Sequence, residues 1–377
     1  MSKQRIITGT ATDASEEAFN QSLRPTCLDE YVGQPKLIER LRITLQAVKE
    51  RHEPMEHVLL HGPPGLGKTT LAHIIAHEMG SHLIVTSGPA LTRPTDLVGT
   101  LTKLQSRDVL FIDEIHRLSP VIEEYLYSAM EDFKIDVTVD SGMHARIITL
   151  PLKPFCLIGA TTRAGLLSGP LRSRFGITHN LDFYGEDDLL RILHRSARLM
   201  NMGTGAAKGA TGGTPGVPAS ASVSNQPNDS GGSLATIASR SRGTPRIANR
   251  LLRRVRDFAQ VKARGVLSVA LVGEALRLEG VDELGLDELD RKYLRVIADI
   301  YKGGPVGLEA IAATLGEDSD TLEDVVEPYL LQIGFLARTR KGRQLTRRGA
   351  DLLGIKLAAQ VESQEDLFPP HDGDVAR

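Results

Sequence analysis

The amino-acid sequence predicts an α/β fold in which a parallel sheet is covered by helices on both faces. Short apolar runs alternate with helical patterns, and a glycine-rich loop joins the first run to the helix that follows it. The apolar runs at 57–60, 109–112 and 155–159 have the length and flanking residues of buried strands. Apolar side chains at helical spacing mark two of the helices: Leu37, Leu41, Leu45 and Val48 in one, and Leu71, Ile74, Ile75 and Met79 in the other. Such alternation is typical of parallel sheets.

Two later segments depart from this alternation. Residues 135–150 alternate around a turn at 140–142, which predicts a β-hairpin that projects from the core. Residues 203–232 are mostly small or turn-forming and bury too little apolar surface to offset the entropy of ordering. We therefore predict a flexible insert there, and the helical pattern resumes at Leu234.

Residues 285–354 predict a further module. Apolar side chains mark three helices, and residues 335–345 then alternate around a Lys341–Gly342 turn, which together form the arrangement of a winged helix. The stretch 338–348 carries six basic side chains and no acidic one. Such a hairpin could lie along a phosphate backbone, and the alternative is a solvated charged hairpin.

Composition limits the classes of function. The chain has 377 residues and a net charge of −2, so contact with nucleic acid must come from local basic patches. Its two cysteines, Cys27 and Cys156, form no metal-type spacing and no disulfide framework, which favours a reducing cytoplasm. We expect no membrane contact, because no apolar run reaches the length of a span.

The loop at 62–70 has the pattern of a phosphate-binding loop, since it follows an apolar strand and opens a helix. Its glycines let backbone N–H groups face phosphate oxygens, and the helix N-terminus adds partial positive charge. Lys68 is the candidate for reaching the β- and γ-phosphates, and the Thr69 hydroxyl is a candidate Mg²⁺ ligand. The candidate ATP-binding residues of the loop are Gly65, Leu66, Gly67, Lys68, Thr69 and Thr70. The alternative is a chance glycine-rich turn, which the strand and helix on either side disfavour.

Asp113 and Glu114 directly follow the apolar run at 109–112. At the carboxyl edge of a parallel sheet, these carboxylates would lie beside the phosphates. Asp113 would hold Mg²⁺ through water, and Glu114 would polarise the attacking water. Two acids after a strand are, taken alone, more often a helix cap, and their pairing with the phosphate loop favours catalysis.

Taken in order, the motifs resemble the bacterial RuvB family, AAA+ ATPases that drive branch migration of Holliday junctions. The resemblance covers 22–200 and 234–354, and it is carried by the stretches 23–25, 31–34, 61–70, 113–117, 159–165, 171–176, 243–250 and 327–335. We accordingly predict a leader at 1–20, a large AAA+ parallel-sheet ATPase domain at 21–183, a small helical AAA+ domain at 184–280 that contains the insert, a C-terminal winged-helix DNA-binding domain at 281–354 and a polar tail at 355–377.

The resemblance implies further roles at the ATP site. Arg174 would be an arginine finger that reaches the site of the neighbouring subunit and stabilises transition-state charge. Arg246 would be the second sensor, and either Thr161 or Thr162 would be the polar sensor of the γ-phosphate. The other residues that the resemblance assigns to nucleotide binding are Leu23, Arg24, Glu131, Asp132, Phe133 and Tyr184.

The resemblance also implies partners. The hairpin at 135–150 would dock RuvA, Arg338 and Arg343 would contact duplex DNA, and RuvC would join a larger complex with a homohexamer. The other arginines of 240–264 are interpreted as an exposed helix face rather than as a DNA patch. The peptide 364–368 resembles a sliding-clamp-binding peptide, with a disordered tail as the alternative.

Three functions are compatible with these motifs. The first is an ATP-driven motor that translocates duplex DNA at Holliday junctions during recombination and repair. The second, a clamp-loader-like AAA+ ATPase, is disfavoured by the terminal winged helix. The third is a switch of the replication-initiator type, which would bind ATP and barely hydrolyse it; steady-state ATPase activity stimulated by DNA separates this switch from a motor.

Overall fold

The computed structural model describes residues 21–138, 147–202 and 232–355. The predicted leader, the turn of the 135–150 hairpin, nearly all of the insert and the tail from 356, with its clamp-like peptide, lie outside these residues. The chain divides into two compact units, one that ends at Glu288 and one that begins at Leu289. Within the described ranges, no helix is long and apolar enough to cross a membrane.

The first unit combines a central sheet, a hairpin and two groups of helices. In chain order its elements are α1 (Pro35–Arg51), β1 (Val58–His61), α2 (Lys68–Met79), β2 (Leu83–Ser87), α3 (Pro94–Leu101), β3 (Val109–Asp113), α4 (Pro120–Glu131), β4 (Lys134–Thr138), β5 (Ile147–Pro151), β6 (Cys156–Thr161), α5 (Gly169–Ser173), β7 (Ile177–Asn180), α6 (Glu186–Leu199), α7 (Ser233–Ser239), α8 (Pro245–Ala263) and α9 (Val269–Leu278).

The central sheet has five parallel strands in the order β2-β3-β6-β1-β7. The three inner strands are those that the apolar runs predict. Both edge strands escaped prediction because they mix polar with apolar residues: β2 ends in Thr86 and Ser87, and β7 ends in His179 and Asn180. An edge strand has only one strand partner and needs less apolar surface than an inner one.

Helices cover both faces of the sheet, as the sequence predicts. Val58 and Leu60 of β1 pack in the apolar cluster that includes α1 and α2, whereas Leu59 packs in the cluster that includes α3 and α4. Successive side chains of a strand point to opposite faces. The inner strands must therefore be apolar throughout, and all three residues of β1 named here are fully buried.

The small helical group, α6 to α9, joins the same apolar cluster as α1 and α2. Here the structure corrects one interpretation, because Arg242 and Arg250 are only 3% and 6% exposed. The chain after α9 folds back onto this group and buries Val281 and Leu286. This return brings the Gly285 carbonyl within 2.7 Å of Arg242 Nε. These two arginines therefore belong to the interior and not to an exposed helix face.

The predicted hairpin is present as the antiparallel pair β4 and β5, with Ile135 opposite Leu150. Ile135 is fully buried, which fixes the base of the hairpin on the core. Farther along, Ile147 and Ile148 are 68% and 47% exposed. The hairpin thus presents apolar side chains away from the core to which it is attached.

The second unit contains helices followed by a small hairpin. Its elements are α10 (Glu288–Arg295) with a π-helical turn (Val296–Ile300), α11 (Leu308–Leu315), α12 (Ser319–Thr321) with a second π-helical turn (Leu322–Val326), α13 (Glu327–Gln332), β8 (Leu336–Thr339), β9 (Gly342–Leu345) and α14 (Arg347–Leu352). In the antiparallel pair of β8 and β9, Arg338 lies opposite Arg343. This is the arrangement of helices and wing that the sequence predicts.

Candidate nucleotide site and wing charge cluster

The pairing of the inner strands places the predicted ATP-site motifs beside one another. Strand β1 runs into the glycine-rich loop, β3 ends at Asp113, and β6 lies between them. His61 at the end of β1 is in register with Thr161 at the end of β6. The carboxyl ends of parallel strands share one edge of the sheet. The motifs therefore meet at this edge although they lie far apart in sequence.

Glycines shape the loop between β1 and α2. Gly65 and Gly67 have φ angles of 79° and 101°, in the region that disfavours other residues. A Cβ atom at Gly65 would lie 2.8 Å from Thr244 Cγ2, and one at Gly67 would lie 3.1 Å from the Tyr31 hydroxyl. The backbone of this loop consequently runs close to both walls of the cleft, where a larger residue would not fit.

Lys68, the first residue of α2, is only 7% exposed. Its ammonium group donates hydrogen bonds to the carbonyls of Gly62 and Pro63, each at 2.8 Å. Burial lowers the pKa of Lys68 to about 8; Asp113 opposes this shift, Arg246 adds to it and Glu114 opposes it. A buried cation at the start of a helix is a binding site for phosphate oxygens.

Asp113 and Glu114 line the same cleft as Lys68. The backbone N–H of Glu114 donates to Asp113 Oδ1 at 3.0 Å. Glu114 has a φ angle of 49°, an uncommon conformation for a residue other than glycine and one often found at functional sites. Its carboxylate lies 3.0 Å from Arg117 Nη1 and is 42% exposed, so it remains accessible to water.

The structure distinguishes the two candidate threonine sensors by their surroundings. Thr161 is 1% exposed, and its hydroxyl lies 2.9 Å from His116 Nδ1 and 3.0 Å from the backbone nitrogen of Arg163. Thr162, in contrast, lines the cleft. Thr162 is therefore the better placed of the two for contact with a phosphate.

Two walls of the cleft come from the large domain and from the small helical group. Leu23, Arg24, Tyr184 and Arg246, all expected from the resemblance, line it together with the phosphate loop. The peptide N–H of Tyr184 donates to the Gly243 carbonyl at 2.9 Å, and its hydroxyl donates to the Leu66 carbonyl at 3.2 Å. Tyr184 thus connects the phosphate loop directly to the small helical group.

Tyr31 and Arg195 are among the residues of this cleft that sequence reasoning missed. The Tyr31 hydroxyl lies 2.7 Å from that of Tyr184, and Arg195 donates to the Leu23 carbonyl at 2.6 Å and to Glu30 Oε2 at 2.8 Å. Neither tyrosine nor arginine has a spacing that marks a ligand. Only the fold, which brings Leu23 and Glu30 onto α6, reveals their position.

The residues present fit a magnesium nucleotide. Among the described residues there is no cluster of three or more metal-binding side chains. Thr69 and Asp113 line the cleft beside Lys68, and an ion there would need phosphate oxygens and water as its other ligands. This is the usual arrangement for Mg²⁺ in nucleotide sites, where protein ligands are few.

The predicted ligands Glu131 and Arg174 form a second group, separate from the residues that line the cleft. Arg174 Nη2 lies 3.1 Å from Glu131 Oε2, and its Nη1 donates to the Pro170 carbonyl at 2.8 Å. Asp132 pairs with Lys134 at 3.0 Å, and the Phe133 ring packs edge-on against Phe155. Within this chain, then, these four predicted nucleotide ligands do not join Lys68 and Asp113.

Comparison with known proteins decides the family. The profile of the Holliday junction DNA helicase RuvB P-loop domain matches residues 23–181, that of the RuvB AAA lid domain matches 216–282, and that of the RuvB C-terminal winged helix domain matches 283–354. The chain belongs to the RuvB family. The AAA+ fold class with a lid and a winged helix is thereby confirmed, and the chain is a P-loop ATPase.

Solved structures agree. The Thermotoga maritima RuvB Holliday junction branch migration motor is 46% identical, with a TM-score of 0.75 over 90% of this chain and 100% of that one. A mutant of Thermotoga maritima RuvB is 47% identical, with a TM-score of 0.76 over 89% of this chain and 99% of that one. The similarity therefore extends over nearly the whole length of these RuvB proteins.

The winged-helix unit of this RuvB family member contains a buried charge cluster. Glu327 is fully buried, and its carboxylate accepts hydrogen bonds from the Tyr293 hydroxyl at 2.6 Å, from Arg338 Nε at 2.7 Å and from Arg343 Nε at 2.9 Å. Glu323 lies 3.4 Å from Arg338 and 3.7 Å from Arg343. Both arginines expected to contact DNA are thus anchored at one edge by a carboxylate.

The pKa of Lys68 leads to a testable pH dependence. The pKa of Lys68 is about 8. At a pH below this value the Lys68 ammonium of the free protein is charged. At a higher pH the group is neutral and must take up a proton to bind phosphate. We expect the Kd for ATP to rise with pH, by up to about tenfold per unit above that pKa. Titrations with a fluorescent nucleotide between about pH 7 and pH 9.5 measure this dependence.

Lys68→Arg is the matched control, because a guanidinium stays charged throughout this range. The variant is expected to bind ATP with a different affinity from the unsubstituted protein. Its affinity should not show the pH dependence that is expected for the unsubstituted protein. A parent protein with the same Kd at both ends of the range would show that Lys68 is charged throughout.

A second prediction concerns Glu327. Glu327→Gln removes the buried carboxylate that pairs two arginines, and we expect the free energy of unfolding of the winged-helix unit to fall by about 3–5 kcal/mol. Glu323→Gln is the control; its carboxylate is 32% exposed and its contacts are long, so a loss of about 1 kcal/mol or less is expected. Hydrogen exchange of amides in α10 and α13 of the full chain, as a function of urea, measures both. Equal losses in the two variants would contradict the central role of Glu327.

Proposed function

We propose that this chain is the ATP-hydrolysing subunit of a ring that drives branch migration of Holliday junctions by translocating duplex DNA. The observation that carries the proposal is the separation of its catalytic groups. Lys68, Asp113 and Glu114 line one cleft, whereas Arg174 and Glu131 lie together outside it. Membership in the RuvB family supports the DNA substrate.

In the cleft, the residues have separate roles in phosphoryl transfer. Lys68 binds the β- and γ-phosphates. Thr69, and Asp113 through water, would hold Mg²⁺, which would neutralise phosphate charge. Glu114 accepts a proton from the attacking water, and its exposed carboxylate is accessible to that water. Thr162, the residue directly after β6, contacts the γ-phosphate. Leu23, Arg24, Tyr184 and Arg246 enclose the rest of the nucleotide between the two domains.

Arg174 completes the cleft of a neighbouring subunit, with Glu131, Asp132 and Phe133 at the same interface. An arginine that acts in trans requires a heterologous contact between subunits, and repeated contacts of this kind close into a ring. We propose a homohexamer, as the resemblance implies. Hydrolysis in one subunit then depends on the position of the next, which couples ATP state to movement.

The other partners follow from the surfaces of the chain. The exposed isoleucines of the 135–150 hairpin provide an apolar contact for RuvA. Arg338 and Arg343 contact duplex DNA through the groups that Glu327 leaves available, and neighbouring cations of the wing strengthen the attraction to phosphate. RuvC would join the assembly on the junction. We place this work in the cytoplasm, where the DNA is.

The proposed function predicts ATP-driven movement of a four-way junction. With RuvA, the full chain should separate the arms of a labelled junction while it hydrolyses many ATP per subunit, and DNA should stimulate that hydrolysis. A replication-initiator-type switch would bind ATP and the junction with little turnover. Junction movement and ATPase rate are read in the same samples, with and without RuvA, and DNA binding without stimulated turnover would contradict the motor.

A complementation experiment tests the division of the site between subunits. Glu114→Gln should bind ATP and lose turnover by at least about 10²-fold. Arg174→Ala should lose about 10³–10⁵-fold, because the transition-state charge lacks its partner. A mixture of the two inactive proteins should regain activity, since an Arg174 from the first variant meets an intact cleft of the second. A mixture as inactive as its components would contradict the trans role, and ATP binding by each variant controls for folding.

A further inference from the structure

The surroundings of Arg174 show how this side chain is held. It is the C-cap residue of α5, and its guanidinium lies 4.5 Å from the centre of the Tyr127 ring on α4. Its two terminal nitrogens contact the Pro170 carbonyl and Glu131. The side chain remains 20% exposed. The cation is therefore supported on one side by an aromatic face and at its tips by oxygen atoms.

Tyr127 is itself held at its hydroxyl group by Glu123 and Ser168. Its hydroxyl donates to Glu123 Oε2 at 2.8 Å and lies 3.0 Å from Ser168 Oγ, and Ser168 donates to the same carboxylate oxygen at 2.6 Å. Glu123 is only 8% exposed. A ring held this way at its hydroxyl end has little freedom to tilt.

The same group also fixes the helix that carries Arg174. Ser168 is the N-cap residue of α5, and its hydroxyl oxygen accepts a hydrogen bond from the Leu171 N–H at 3.3 Å. The start of α5 is thereby tied to Glu123 and Tyr127 on α4, and the end of α5 is Arg174. Contacts with one helix, α4, therefore hold both the backbone and the side chain of Arg174 in place.

We propose that Tyr127, held by Glu123 and Ser168, is a positioning residue that presents the Arg174 guanidinium to the neighbouring subunit. This inference rests on the trans role of Arg174 proposed above. A long, flexible arginine stabilises a transition state only if it reaches the phosphate in one geometry, and misplacement by about 1 Å costs on the order of 10²-fold in rate. The aromatic face restricts where the cation can lie without consuming its terminal N–H donors.

The experiment measures kcat and KM for ATP in the DNA-stimulated full-length protein. Tyr127→Leu keeps an apolar side chain and removes the aromatic face, and we expect kcat to fall by about tenfold or more with KM changed less than about twofold. Tyr127→Phe keeps the face and should retain kcat within about threefold. Tyr125→Leu makes the same change on the same helix, at a side chain that packs against the apolar core, and should leave kcat within about twofold.

A double variant separates positioning from general damage. In an Arg174→Ala background, Tyr127→Leu should cause no further loss, because the residue through which it acts is absent. Ser168→Ala, which loosens the support and keeps the ring, gives a second measurement and should lower kcat by about threefold with KM unchanged. The Ser168→Ala variant still tests the inference if Tyr127→Leu does not fold.

Two results would overturn the inference. One is normal kcat in both Tyr127→Leu and Ser168→Ala while Arg174→Ala is inactive, which leaves the trans role of Arg174 intact. The other is an additive loss in the double variant, which would show that Tyr127 acts on the fold and not through Arg174. Normal turnover in Arg174→Ala alone would instead refute the trans role on which the inference rests.

Discussion

Parallel hydrogen bonding of β6 between β1 and β3 is the constraint on which the ATP site depends. The register places Thr161 beside His61 and Gly159 beside Ile112, so the three strands end at one level. A Cβ atom at Gly159 would lie 3.0 Å from both Ile115 and Phe175. The absence of a side chain at this central position lets two segments pack against the end of the sheet: the turn after Glu114 and the residue next to Arg174.

Charge is placed differently in the two units, with different physical consequences. In the ATP cleft, the buried Lys68 ammonium donates hydrogen bonds to two carbonyl oxygens. Burial lowers the pKa of Lys68. In the wing, Arg338 and Arg343 share the carboxylate of Glu327. A buried cation that is hydrogen-bonded to carbonyls rather than to a carboxylate is ready for an anionic ligand, whereas a paired one is held in place. The first arrangement favours binding a ligand, and the second favours a defined geometry.

The first unit contains two groups of candidate functional residues. One group lines the cleft, which is enclosed by the phosphate loop and the small helical group. The other group lies at the α4–α5 contact, where a buried carboxylate, two hydroxyls and an aromatic ring support the Arg174 cation. In the ring proposed above, each chain carries part of each site, and activity is then a property of the assembly. The helix that supports Arg174 also precedes the 135–150 hairpin, so α4 adjoins both Arg174 and the proposed RuvA surface.

Much of this molecule could be predicted from the sequence, and the limits have physical causes. Apolar periodicity identified the inner strands and the main helices, because burial on both faces leaves a clear pattern in the residues. The phosphate loop and the acidic pair at 113–114 were identified because that chemistry requires adjacent residues. Edge strands β2 and β7 were missed because one-sided burial permits polar residues. The burial of Arg242 was missed because its carbonyl partner, Gly285, lies far along the chain.

The sequence by itself therefore determined the family and the AAA+ fold class, and it predicted which groups handle the phosphates. Local spacing is enough for these, since each motif is a short segment with its own geometry. Only the tertiary structure decided which threonine lines the cleft, that Tyr31 meets Tyr184, that Glu327 anchors both wing arginines, and that Arg174 sits on Tyr127. These contacts join distant segments, and a hydrogen bond or a cation over a ring depends on distances of a few ångströms that sequence spacing does not encode.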